Sequence, residues 1–121
     1  MANEDAIPNI NPAVPPSGDG CFECLAGDAP GWWFHLRRCA ACGHIGCCDS
    51  SPAQHATQHA REAGHAYFAS YEPGESWLWN IDTEQFYTGA PVLAPPAAHP
   101  ASQPVPGPRG RVPDDWQQQL H

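Results

Sequence analysis

The chain has 121 residues and a formal net charge of −8, with thirteen Asp and Glu against five Arg and no Lys. An acidic chain whose one close basic pair is Arg37–Arg38 argues against a duplex-binding protein, which needs a basic face to displace counterions from phosphates. Length points to one domain, and no apolar run approaches the roughly 20 residues that a membrane span needs.

Residues 1–20 begin acidic, carry Pro8, Pro12, Pro15 and Pro16, and lack the basic start and apolar stretch of a secretory signal. They read as a disordered leader. A reducing cytoplasm follows as the expected compartment, and there six cysteines indicate metal rather than disulfides. Next come Cys21-Phe22-Glu23-Cys24, then the aromatic run Trp32-Trp33-Phe34-His35-Leu36, which predicts a strand leading into Arg37-Arg38-Cys39.

The strongest helix signal lies over 52–63. Ser51 suits the N-cap, Pro52 the first helical position, Gln54 a capping box, and Gly64 the C-terminal stop. Beyond it, Tyr67-Phe68-Ala69-Ser70-Tyr71 and Ser76-Trp77-Leu78-Trp79 flank a Pro73-Gly74 turn and predict a hairpin, with Gln85-Phe86-Tyr87 as a short last strand. The sum is an α+β domain over residues 21–87, a twisted antiparallel sheet with one main helix. Eight prolines from Pro91 to Pro113 mark residues 88–121 as a Pro/Ala-rich disordered tail. Its end reads as a frayed terminus in which Trp116 and Leu120 form an i, i+4 apolar pair.

About 70 residues between Cys21 and Tyr87 bury a limited core and call for a staple. Two CxxC pairs, Cys47-Cys48, and His55, His59 and His65 supply it. Soft thiolates with imidazole at tetrahedral spacing suit zinc, which takes four ligands. Two ions therefore consume eight donors. The assignment is Cys21, Cys24, Cys47 and His55 for site 1, and Cys39, Cys42, His59 and His65 for site 2. Spacing from Cys42 favours Cys47, with Cys48 the alternative ligand. His35 and His44 are taken as surface or packing residues, and His99 is given no role.

Eight protein ligands leave no open coordination position, so no zinc enzyme is expected. The helix sequence His55-Ala56-Thr57-Gln58-His59 also lacks the Glu that a zincin needs after its first His.

The run CAACGHIGC, the H-x3-H-x5-H that follows and the W-x-W of Trp77 and Trp79 resemble the zinc finger of ubiquitin-specific proteases, also found in a cytoplasmic histone deacetylase. The resemblance covers residues 21 to about 87. It implies binding of a ubiquitin-like partner by its free C-terminal Gly-Gly, in an aromatic slot that admits only side-chain-free backbone and holds the carboxylate with a cation. Carried over, it puts Trp77 and Trp79 in the slot with Trp32 or Trp33 as a further wall; Arg37 or Arg38 of the adjacent strand stands in for the cation, and Trp33 and Arg38 are taken for these two roles. The family arginine two residues after the liganding Cys is replaced by Asp49, and one extra residue separates Cys47 from His55. A monomer is expected, acting on protein rather than nucleic acid or membrane. The alternative is a scaffold module with the same fold and no tail binding.

Overall fold

The computed structural model describes residues 10–27, 31–75, 77–87, 92–108 and 110–119. In chain order they form α1 (Phe22–Leu25), β1 (Leu36–Cys39), β2 (Ile45–Cys47), α2 (His55–Ala63), β3 (Tyr67–Ser70), β4 (Leu78–Asn80) and β5 (Gln85–Tyr87), with a 3-10 turn at Trp116–Gln119. The five strands make one antiparallel sheet in the order β2-β1-β3-β4-β5, and α2 is the main helix, so the domain is α+β.

Period-two alternation divides the sheet into two chemically different faces. On one, Cys39 pairs across to Phe68, Phe68 to Trp79, and Trp79 to Phe86. Cys39 and Phe68 form a buried cluster there with Ala56 and Ala60 of α2. A second cluster gathers Cys21, Cys24, Trp33, Leu36, Ile45, Cys47 and Tyr71. Helix α2 sits so close to β2 that a Cβ on Gly46 would lie 2.7 Å from the Ala56 nitrogen.

The main helix is shorter than its sequence signals predict. It begins at His55, and the expected cap at Ser51 and helical start at Pro52 are not formed. Ser51 instead accepts the Phe34 N–H at 2.8 Å through its hydroxyl. Gln54 turns the chain with a left-handed φ of 55°, and the His55 N–H donates to Cys47 Sγ at 3.2 Å. A local capping box loses here to the tertiary demand that His55 meet Cys47. The other end follows the sequence: Gly64 stops the helix with φ 73°.

Strand β1 likewise begins later than the aromatic run suggests. Trp32 and Trp33 precede it and are almost wholly buried. The Trp33 backbone pairs in both directions with Gly107, whose N–H donates to the Trp33 carbonyl at 2.9 Å. That contact is one of several. The described parts of the two proline-rich ends, expected to be disordered, pack against the domain. The Asn11 N–H donates to the Ala40 carbonyl at 2.7 Å, and Gln103 Nε2 to the Asp19 carbonyl at 2.8 Å. Arg111 Nη1 donates to the Cys24 carbonyl at 2.8 Å, and Trp116 stacks on Phe34 at 5.6 Å. Proline denies these segments a ladder of their own, but their remaining N–H and carbonyl groups and the Trp116 ring find partners on the domain. Residues 1–9, Ser76, residues 88–91, Leu120 and His121 lie outside the described residues, and with them parts of the leader, the hairpin and the tail. Among the described residues no helix is long and apolar enough to cross a membrane.

Candidate metal centres and an aromatic pocket

The short α1 turn carries Cys21 just before it and Cys24 within it. Strand β2 brings Cys47, and the first residue of α2 is His55. These four donors lie within 4.8 Å of one another. His55 Nδ1 is 3.2, 3.4 and 3.5 Å from the sulfurs of Cys21, Cys24 and Cys47. The second group joins Cys39 at the end of β1, Cys42 in the following turn, His59 one helical turn after His55, and His65 just past Gly64. Cys39 Sγ is 3.4 Å from His65 Nδ1, and Cys42 Sγ is 3.3 Å from His59 Nε2.

Zinc bonds of about 2.3 Å to sulfur and 2.1 Å to nitrogen, at a tetrahedral angle, put S and N about 3.6 Å apart. The spacings match that edge within a few tenths of an ångström. The donors also need a cation. The Cys24 thiol is pushed far above its ordinary range, first by its hydrogen bond with Cys21, then by Cys47 and by burial. Burial lifts Cys39 to about 11. Thiolates in such places call for a positive ion between them. His59 is brought down to about 4, chiefly by burial and then by His44 and His65, which leaves its ring nitrogen available as a neutral ligand. Each group can therefore hold one zinc, as Cys3His and Cys2His2.

Cys48 stands outside both groups. Its sulfur lies 3.5 Å from Ser51 Oγ. Burial would raise this thiol, but hydrogen bonding to His35 and Ser51 outweighs it and the group falls to about 7. His35 is correspondingly raised, mainly by its bond to Cys48. His44, taken as a packing residue, stacks on the His59 ring at 4.2 Å and 3° and meets Glu23 at 2.8 Å. It braces a liganding ring from outside.

Trp77 and Trp79 share a pocket of about 230 Å³ between α2 and the sheet. Ala56, Phe68, Ile81 and Phe86 line it with apolar surface, and Arg37, Cys48, Asp49 and Thr57 add polar groups. Phe86 packs on both tryptophans, 5.4 Å from Trp77 and 4.5 Å from Trp79. The two other residues expected there do not reach it. Trp33 is 1 % exposed in the second core cluster, against Gly20. Arg38 is 2 % exposed and donates to the carbonyls of Val14 at 2.8 Å and Pro96 at 3.2 Å. Strand alternation is the reason: neighbours on β1 face opposite sides, so Arg37 takes the pocket side and Arg38 the other. Arg37 Cζ lies 4.8 Å from the Trp77 ring centroid, and no carboxylate among the described residues pairs with it. Asp49 lines the same pocket, with Oδ1 accepting from Thr57 Oγ1 at 2.5 Å.

Sequence reading missed one buried pair altogether. His99 Nε2 meets Glu72 Oε1 at 3.0 Å, and its Nδ1 faces the Pro100 carbonyl at 2.8 Å. Glu72 Oε2 also accepts the Leu36 N–H at 2.9 Å. Nothing local in a proline-rich run marks His99; only its partner does.

Residues 21–90 match the family model described as the Zn-finger in ubiquitin-hydrolases and other protein. The solution NMR structure of protein RPA1320 from Rhodopseudomonas palustris is similar, with 41% sequence identity and a TM-score of 0.59. The match covers 80% of this chain and 87% of that one. A search of curated proteins gave no significant match.

Proposed function

The chain belongs to this family of zinc fingers, and from that premise we propose that it is a binding module for the C-terminal tail of a ubiquitin-like protein. The observation that carries the reading is the pocket, where Arg37, which donates to the Leu36 carbonyl but pairs with no carboxylate among the described residues, lies beside Trp77 and Trp79. Two terminal glycines present bare backbone to the aromatic walls, and the terminal carboxylate pairs with the guanidinium. Larger side chains would collide with the tryptophans, which gives selection by exclusion. The zinc ions hold the walls in place and take no part in chemistry. The module works as a monomer in a reducing cytoplasm, on a protein partner.

Asp49 favours a second reading. A carboxylate in the same pocket repels a terminal carboxylate, which suits a scaffold that uses this surface for another protein. Calorimetric titration of the zinc-loaded chain separates the two. A Gly-Gly-terminated ubiquitin-tail peptide binds and its C-terminally amidated form does not, if the pocket is a tail reader. Failure of both peptides to bind leaves the scaffold reading.

A further inference from the structure

The two metal centres fit the same ion but are shut in to different degrees. In site 1 the exposure of Cys21, Cys24 and Cys47 is 0 % and that of His55 is 3 %. Their cluster is sealed by Trp33, Leu36 and Tyr71, and Arg111 lies across the Cys24 carbonyl. In site 2 only Cys39 is buried: Cys42 is exposed, and His59 and His65 are half-buried. Two surface depressions open beside His65, one lined also by Arg61 and Asp82, the other by Asn11 and Ala41.

We propose that site 2 is an exchangeable zinc site, able to empty and refill while site 1 keeps its ion. Zinc leaves a tetrahedral site when a competing donor reaches it, and that approach is open at Cys42 and His65 and closed around Cys24. Sulfur count acts in the same direction, because three thiolates hold zinc more firmly than two. On release the ion passes to the competing ligand, and the thiolates of Cys39 and Cys42 each take a proton from water. The emptied site would free the end of β1, the later part of α2 and the turn to β3. The start of α2 stays pinned by His55. The depression beside His65 shares Asp49, Thr57 and Ile81 with the aromatic pocket, so the ion in site 2 steadies one wall of that pocket. The inference holds whatever the pocket binds.

The test is native mass spectrometry of the zinc-loaded full chain under rising EDTA, with an iodoacetamide pulse and peptide mapping at each step. The expected result is a build-up of a species one zinc lighter, labelled at Cys39 and Cys42 and protected at Cys21, Cys24 and Cys47. Loss of both ions together, or labelling of Cys21, Cys24 or Cys47 at or before that of Cys42, overturns the proposal. The Cys42→Ala chain supplies a second arm. It is expected to retain one zinc with Cys21, Cys24 and Cys47 still protected, and a Cys42→Ala chain that holds none overturns the independence of the sites.

Discussion

The guanidinium carbon of Arg37 stands 4.8 Å from the centre of the Trp77 ring, so the cation and one aromatic wall of the pocket form a single unit. Stacking on a tryptophan face is worth about 0.5–1 kcal/mol at an exposed site and limits where the guanidinium can point. Removing the cation should therefore cost the carboxylate contact and little else. Arg37→Ala is expected to weaken Gly-Gly tail binding by about 10–100-fold, the size of a hydrogen bond to a charged group. Arg38→Ala should leave affinity unchanged and lower the melting temperature instead, since its donors hold Val14 and Pro96. Calorimetry and thermal melts on the two variants check the contrast.

Under the tail-binding proposal, Asp49 of the pocket lining would oppose the same carboxylate. Asp49→Asn keeps an oxygen for Thr57 and removes the charge. Tail affinity should rise by about threefold to tenfold, as expected for relief of roughly 1 kcal/mol of repulsion at intermediate dielectric. The gain should shrink in 1 M salt, where the screening length is about 3 Å. An unchanged affinity in low salt would show that Asp49 does not face the ligand.

Complete metal removal should unfold the domain. Structural zinc contributes about 10–16 kcal/mol per site in small zinc fingers, against about 5–15 kcal/mol for the net stability of a typical domain. Excess chelator is expected to abolish the far-ultraviolet circular dichroism of the sheet and α2, and added zinc to restore it. A metal-free chain with an unaltered spectrum would contradict this.

Gly46 is where β2 and α2 come closest. A Cβ there would meet the Ala56 nitrogen at 2.7 Å, its Cα at 2.8 Å and the His55 carbonyl carbon at 3.0 Å. All three are backbone atoms, which cannot swing aside as a side chain can. Gly46→Ala should destabilise by about 1–3 kcal/mol, the usual cost of overpacking, read as a shift in the denaturant midpoint.

His99 ties the C-terminal segment to the sheet. His99→Ala would leave the buried Glu72 carboxylate with only the Leu36 N–H among the described residues, and removing a hydrogen-bond partner from a buried group typically costs about 1–3 kcal/mol. A lower melting temperature with faster proteolysis beyond residue 92 is expected. A variant as stable as the parent would mean that the segment contributes nothing to the fold.

The ligand chemistry, the two-zinc stoichiometry and the order of the elements around them are legible in the residues alone. Cysteine and histidine spacing is a local, covalent property: CxxC places two sulfurs on one turn, and Gly64 stops a helix wherever that helix lies. Tryptophans two apart after a Pro-Gly turn mark one strand face in the same way. Which of two adjacent arginines meets the pocket is settled in the folded chain, because strand register assigns Arg37 and Arg38 to opposite faces and composition does not. The fold also leaves the capping box at Ser51 unused, since the hydroxyl serves Phe34 while His55 is drawn to Cys47. The packed C-terminal segment was beyond sequence reasoning for the same cause. Proline announces the absence of local hydrogen bonding, whereas the partners that hold Gly107, His99 and Arg111 lie more than 25 residues away along the chain, at Trp33, Glu72 and Cys24.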